Sequence, residues 1–440
     1  MLKKGDVRLS DRIRIREEYF GGIAFNSETG DITEFDHEAY QLLVWLRDTG
    51  AADIRSLSRH KGERAILPAL LGGNIIEYIP ETSNTSDMLY PGLDKLPRDY
   101  LKPYYNAPQT LSAPETVHLA VTYRCNGSCP DCYTRKYISS TGHELNTEEM
   151  RFIVNLLADS GVFQLAIGGG EPFLRPDLND IVSHAAGKGL VVHITTGQYA
   201  FMPEWVDVLK HIKTLHIGIR SEELVNDEAD TTERLRALVE YITDYNVGVG
   251  ANIIITRFTI NHINRLTELL LGCGFKRFIF LRYKPIPERT RWGNEKPGMK
   301  ELRFFRDWLI LAKRRYPFLM LRVDCASAFL MKGLSPLAAT HAGIGGCVAG
   351  ERIAAVAPDG SVYPCSQLVG QAYKAGNLTR DPFKMIWRES EILNRYRNFR
   401  QDKQFIDSEC GQCNANRFCG GCRVFAMDTI GCEPHCPLEI

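Results

Sequence analysis

Long apolar runs are missing from this chain. None of its hydrophobic stretches approaches the ~20 residues that a helix needs to span a bilayer, and residues 1–10 carry no apolar signal core. Both absences predict a cytoplasmic protein without membrane partners. Net charge is missing too: 53 basic residues balance 53 acidic ones. No field therefore draws the chain onto nucleic acid or an anionic surface, and neither is expected as a partner. Thirteen cysteines without an export signal argue against a disulfide framework and for metal ligation by reduced thiols. Eleven of the thirteen lie in the stretch 125–132 or beyond residue 340, leaving Cys273 and Cys325 apart. Cys273, at a helix end, reads as a buried structural thiol.

What is present is length and apolar content. The chain has 440 residues, 44% of them hydrophobic, enough for about three domains of ~150 residues with substantial cores. Three cysteines, Cys125, Cys129 and Cys132, share one loop directly after a short apolar strand, with three and then two residues between them. Soft thiolates favour iron–sulfur clusters, and a cubic cluster takes four ligands. A loop that supplies three leaves one iron open to a substrate or cofactor. The alternative is a structural zinc loop, but such loops usually pair a two-residue cysteine spacing with a second ligand pair, which is missing nearby.

The triad resembles the signature of radical S-adenosylmethionine (SAM) enzymes, and Gly169-Gly170-Glu171-Pro172 resembles a second mark of that family. The resemblance implies a [4Fe–4S] cluster on the triad, chelation of its fourth iron by SAM, and reductive release of a 5′-deoxyadenosyl radical. It also implies that Gly169 and Gly170 approach the amino group of SAM, with Glu171 as the nearby carboxylate. Relatives have an aromatic residue before the third cysteine; here that position is Asp131, and Tyr133 stands one step beyond the triad as its substitute near the adenine. Thr196 occupies the place of the Asn in a Thr-Asn-Gly segment of relatives. Arg220, after the fourth strand, offers a guanidinium fork to the SAM carboxylate, or else a surface ion pair. Asn252 is a weaker polar candidate.

Taken in order, the chain opens with strand-like alternation over residues 11–35, read as a hairpin with its turn at Ser27–Gly30. Asp36 can cap a helix to about Leu46, with Tyr40, Leu42, Leu43 and Leu46 on its apolar stripe; two shorter helical patterns follow, and a strand at 74–79 closes the segment. Residues 1–80 are thus a winged-helix-like α+β domain. It resembles the recognition domain of enzymes that modify ribosomally made peptides, which implies binding of a leader peptide by strand addition; a plain accessory winged helix would have the same pattern. Six prolines between Pro80 and Pro114 interrupt helix and strand, so 81–114 reads as a linker.

From residue 115 strands at 117–122, 165–167, 191–195, 214–219, 247–256 and 277–283 alternate with helical segments. This predicts an α/β fold with a parallel sheet whose chemistry lies at the strand C-terminal ends. The resemblance implies the same thing, a partial (β/α)6 TIM-like barrel over 115–320. The cysteine-rich remainder, 321–440, resembles the SPASM extension of peptide maturases, with its two auxiliary iron–sulfur clusters. By that resemblance Cys347, Cys365 and Cys422 hold the first, with Cys325 or an open iron completing it. Cys410, Cys413, Cys419 and Cys436 hold the second, Cys432 being the alternative to Cys436. Structural zinc is the competing reading of the two Cys-x2-Cys pairs.

The expected cofactors are therefore SAM and three [4Fe–4S] clusters, and the expected partners a precursor peptide with its leader and a low-potential electron donor. The function expected is oxidative modification of a peptide side chain, such as a crosslink. The rival readings are a radical SAM enzyme acting on a small molecule in a haem or quinone-cofactor pathway, kept open by the run Cys419-Gly-Gly-Cys-Arg423, and a non-catalytic electron-transfer protein.

Overall fold

Short-range signals set the first segment. Asp36 accepts a hydrogen bond from the Ala39 amide at 2.8 Å and so caps the helix His37–Thr49, which ends at Gly50. The buried stripe Leu42, Leu43 and Leu46 packs with Val7, Ile54, Leu57 and Leu67. A computed structural model describes residues 5–58, 61–79, 110–127, 129, 132–134, 143–200, 202–285, 290–331, 346–416, 418–426, 431 and 436. Most of the linker, Asp131 and Cys432 lie outside the described residues. The chain divides into two compact units, Met1–Ser112 and Ala113–Ile440.

In the first unit β2 (Ile13–Glu18), β3 (Gly21–Asn26) and β4 (Ile32–Phe35) form an antiparallel meander. The sequence pattern, read as one hairpin, hides the tight turn at Tyr19–Phe20 that splits the first arm in two. A second sheet pairs β1 (Asp6–Leu9) with β5 (Ala52–Asp53) and β6 (Ile76–Tyr78). Within this unit the buried Glu18 meets Arg16 at 2.6 Å and accepts from the Ser112 amide at 2.7 Å. Burial raises the Glu18 pKa against the pull of these partners.

The second unit is built on β7 (Thr116–Thr122), β8 (Gln164–Gly169), β9 (Val191–Thr196), β10 (Thr214–Ile219), β11 (Gly248–Ile255) and β12 (Arg277–Arg282), all parallel and neighbours in that order. The predicted six-strand partial barrel is present, and the sheet runs further. β13 (Met320–Val323) continues it beyond β12, while β14 (Ile353–Val356) returns to pair parallel with β7 and carries β15 (Ser361–Tyr363) and β16 (Gly376–Asn377). These additions were not read as barrel strands because they are short and their pairing partners are distant in sequence. Helices such as Thr147–Asp159, started by a capping box at Asn146 and Glu149, cover the outer face. Val117, Leu119, Leu165, Ile167, Ile194, Leu215 and Ile217 are buried beneath them.

The alternating inner positions are polar. Gln164 bonds Thr116 at 2.7 Å and His193 at 3.2 Å; His193 bonds Thr214 at 2.5 Å, and Thr214 reaches His216 at 3.1 Å. This chain lies near the strand N-termini, away from the cysteine loop. Burial, with Arg277 close by, pushes both His193 and His216 down to about 4. Depressed values mean that the native state binds fewer protons than the unfolded chain between pH ~6.5 and ~4. The stabilisation is complete above pH ~6.5 and is lost as pH falls toward 4, by up to ~1.4 kcal/mol per pH unit for each histidine. Urea unfolding at pH 7 and pH 5 should show a smaller acid loss for His193→Gln/His216→Gln than for the parent; equal losses would contradict the linkage.

Candidate metal centre

The loop after β7 carries Cys125, Cys129 and Cys132. The Gly127 amide donates to Cys125 Sγ at 3.3 Å, and Cys132 Sγ lies 3.0 Å from the Thr134 hydroxyl. Burial raises the Cys129 thiol, Cys132 and Cys125 push it further up, and Arg220 opposes them. Both other sulfurs and the guanidinium are thus within electrostatic reach of Cys129. Among the described residues no three His, Cys, Asp or Glu side chains converge to hold a single metal ion. The sulfurs form sets by proximity, as a multi-iron cluster requires, and soft donors with N–H···S contacts fit that group.

Two glycines hold the loop. A Cβ on Gly169, whose φ is +114°, would sit 2.3 Å from the Thr122 carbonyl oxygen, and one on Gly170 would sit 2.1 Å from that of Arg124. The Gly170 amide donates to Thr122 O at 2.8 Å and the Glu171 amide to Arg124 O at 2.9 Å. The close approach expected at these glycines is thus made first to the protein's own cysteine loop. From the other side Glu144 accepts from the Thr122 hydroxyl and the Tyr123 amide, at 2.7 and 3.0 Å. Buried Arg175 donates to the carbonyls of Val121 and Leu145 and pairs with Asp177 at 2.8 Å.

Glu171, only 3% exposed, accepts from the Thr196 hydroxyl at 3.0 Å, the Gly197 amide at 3.0 Å and the Phe173 amide at 3.2 Å. Burial raises its pKa; these donors pull it down. Both oxygens have protein partners, so any link to a SAM ammonium would add to this clamp between the ends of β8 and β9. Thr196 acts as a donor to Glu171. Arg220 pairs through Nε and Nη2 with Glu223, donates from Nη1 to Gly197 O at 2.8 Å, and stacks 3.7 Å over Tyr199. The Nε–Nη2 edge is therefore occupied by Glu223, which is the ion pair named as the alternative to a SAM carboxylate. Asn252 sits on β11 with its Oδ1 buried and its side chain beside His216. Cys273 is buried, as expected of a structural thiol, with its Sγ 3.6 Å from Thr232 O.

A second set of sulfurs lies beyond the barrel strands. Cys325 opens the 3-10 helix Cys325–Met331, one residue past Asp324 at the end of β13; Cys347 precedes β14; Cys365 follows β15. Burial raises the Cys325 thiol, and Cys347, Asp324, Cys422 and Cys365 all push it further up. Four thiols thus share one neighbourhood. Tyr133 links it to the triad: Cys365 and Cys132 both act on its hydroxyl, which also bonds Ser366. Burial pushes that hydroxyl up to about 12. Although 37% of the residue's surface is exposed, the direction follows the enclosed hydroxyl end. Ser366 in turn lies 3.0 Å from Nδ1 of the buried His118.

The remaining sulfurs occupy the C-terminal segment. Cys410 is buried on the short helix Glu409–Gln412, and Cys413 caps that helix and accepts from the Ala415 amide at 3.4 Å. Gly420 and Gly421 both have positive φ, +66° and +73°, a turn that side chains resist. This turn gives Cys419 the Gly421 amide as a donor at 3.4 Å and carries Cys422 inward. Fully buried Arg423 braces it by donating to Gly420 O at 2.8 Å above the Phe399 ring. Cys436 is half-buried. Sequence reasoning missed Glu144, Arg175, Tyr199 and Asp324, because each acts through a contact made by folding.

Gly170→Ala should therefore displace the cysteine loop, while Gly168→Ala, with nothing within 4 Å of its Cβ, should not. Anaerobic reconstitution with iron counting should show less iron in Gly170→Ala than in the parent, and no loss in Gly168→Ala. Equal iron in both would refute the clamp.

Residues 119–270 match the Radical SAM superfamily and residues 347–414 match SPASM, an iron–sulfur cluster-binding domain. The chain is 25% identical over 351 residues to the AdoMet-dependent heme synthase of Methanosarcina barkeri, covering 74% of this chain and 97% of that protein. It is 28% identical over 342 residues to the mycofactocin maturase MftC of Mycobacterium tuberculosis, covering 74% and 83%. In fold it is similar to Streptococcus suis SuiB bound to S-adenosylmethionine, with a TM-score of 0.72 at 20% identity over 97% of this chain and 98% of that one. No helix among the described residues is long and apolar enough to cross a membrane. The cysteine loop at the end of β7 thus lies in a Radical SAM domain, and Cys347, Cys365, Cys410 and Cys413 lie in a SPASM domain.

Proposed function

We propose that this enzyme is a maturase that oxidatively modifies a side chain of a ribosomally made peptide. The observation that carries the reading is the separate N-terminal unit: among the described residues β2 and β4 each pair on one side only, and an extended leader can add to such an edge through main-chain hydrogen bonds. Tethering would raise the local concentration of the attached core peptide to the millimolar range. Two relatives support the class, since MftC is named a mycofactocin maturase and SuiB has been crystallised with its precursor peptide SuiA.

In this reading Cys125, Cys129 and Cys132 hold a [4Fe–4S] cluster that, with SAM on its open iron, supplies a 5′-deoxyadenosyl radical. Gly169 and Gly170 keep the cysteine loop in place, and the Glu171–Thr196–Gly197 clamp fixes the rim on which SAM would lie. The walls' task is to hold one C–H beside the reactive carbon and exclude water. Cys325, Cys347, Cys365 and Cys422 hold a second cluster, and Cys410, Cys413, Cys419 and Cys436 a third, where an electron released by an oxidative outcome can go. A low-potential donor supplies the reducing electron. The heme synthase relative, 97% of which is matched, favours a second reading in which the substrate is a small molecule.

Reconstituted protein should bind about twelve irons, four per cubic cluster, and changing Cys125, Cys129 and Cys132 together to Ala should remove about a third of them and abolish 5′-deoxyadenosine formation. Removing residues 1–112 should leave the iron and uncoupled SAM cleavage in place while modification of a leader-bearing peptide collapses. Equal modification by both forms would favour the small-molecule reading, and zinc in place of iron would overturn both.

A further inference from the structure

Between β12 and the second sulfur set lies a buried charge that the proposed reaction does not use. Lys284, two residues past β12, has a side chain only 11% exposed, and its Nζ lies 2.6 Å from Asp324 Oδ2, itself 13% exposed. Asp324 is anchored in turn: its Oδ1 accepts from Ser327 at 2.9 Å and its amide donates to Phe280 O at 2.9 Å. The ammonium faces Asp324, Cys422 and Cys325, and is felt at Cys365 and at the Tyr133 hydroxyl. Arg282 is a second cation on this side; its guanidinium lies 3.8 Å over the Phe425 ring and donates to Ala326 O, next to Cys325, at 3.1 Å.

A lysine is seldom buried this deeply without a task. One carboxylate balances it. Thiolates gathered at the same place would still leave the pocket strongly negative, and each added electron would make it more so. A fixed cation held on the carboxylate next to Cys325 favours the reduced, more negative state of whatever the sulfurs hold, because Coulomb energies are large where water is excluded.

We propose that Lys284 is a positioning residue that sets the reduction potential of the cluster held by Cys325, Cys347, Cys365 and Cys422, with Asp324 holding the ammonium in place and offsetting part of its field. The inference rests on the reading of that set as a cluster site. It makes Lys284 and Asp324 opposing controls on one centre and leaves the triad to SAM chemistry.

Potentiometric titration of anaerobically reconstituted full-length protein, followed by electron paramagnetic resonance, tests it. Lys284→Met should lower the potential of one cluster signal and leave the triad signal unmoved at unchanged iron content; Lys284→Arg should restore the parent value. Asp324→Asn should move the same signal upward, which keeps the test decisive if Lys284→Met fails to retain the cluster. Full iron with no shift in these variants, or an equal shift of every signal, would overturn the role of Lys284 alone. Parent protein with iron only at the triad would overturn the cluster reading and this inference together.

Discussion

The arrangement of the site depends on one backbone contact, the end of β8 pressed onto the first residues of the cysteine loop. Gly169 and Gly170 permit it because side chains there would collide with the carbonyls of Thr122 and Arg124. The amides of Gly170 and Glu171, just past β8, then satisfy those carbonyls, so the loop leaves β7 in one direction only. Glu171, next in sequence, uses the same rigidity to reach across to Thr196 and Gly197. A buried carboxylate with several donors is costly to leave half-satisfied, which makes the rim a unit.

The sheet extends that organisation to the auxiliary sulfurs. β7 lies between β8 and β14, so the strand that leads into the triad also fixes the strand between Cys347 and Cys365. Continuation of the sheet through β13 places Cys325 at its C-terminal end, on the side where the barrel's chemistry is gathered. The Tyr133 hydroxyl feels a sulfur of each set, Cys132 and Cys365, and bonds Ser366, which lies 3.0 Å from His118 Nδ1.

Local chemistry made much of this legible. The capping residues Asp36 and Asn146, the barrel strands and the triad loop announce themselves through spacing and periodicity, because their physical causes act over a few residues. The additional strand within residues 11–35 escaped because a two-residue turn carries little signal. β13 escaped because a short strand is defined by its partner, and that partner lies far away in the chain. Arg220 shows the limit for single residues: its charge and position were readable, but its engagement with Glu223 and Tyr199 was not.

By itself the sequence determined the donor chemistry: thirteen cysteines in a neutral chain, grouped by spacings that suit iron–sulfur ligation, behind strands whose period builds a parallel sheet. Only the tertiary structure decided which thiols lie within electrostatic reach of Cys325, and that Lys284 and Asp324 pair in the interior. The reason is physical. Ligand type and helix caps are properties of adjacent residues, whereas proximity and burial arise when strands distant in sequence pair and exclude water.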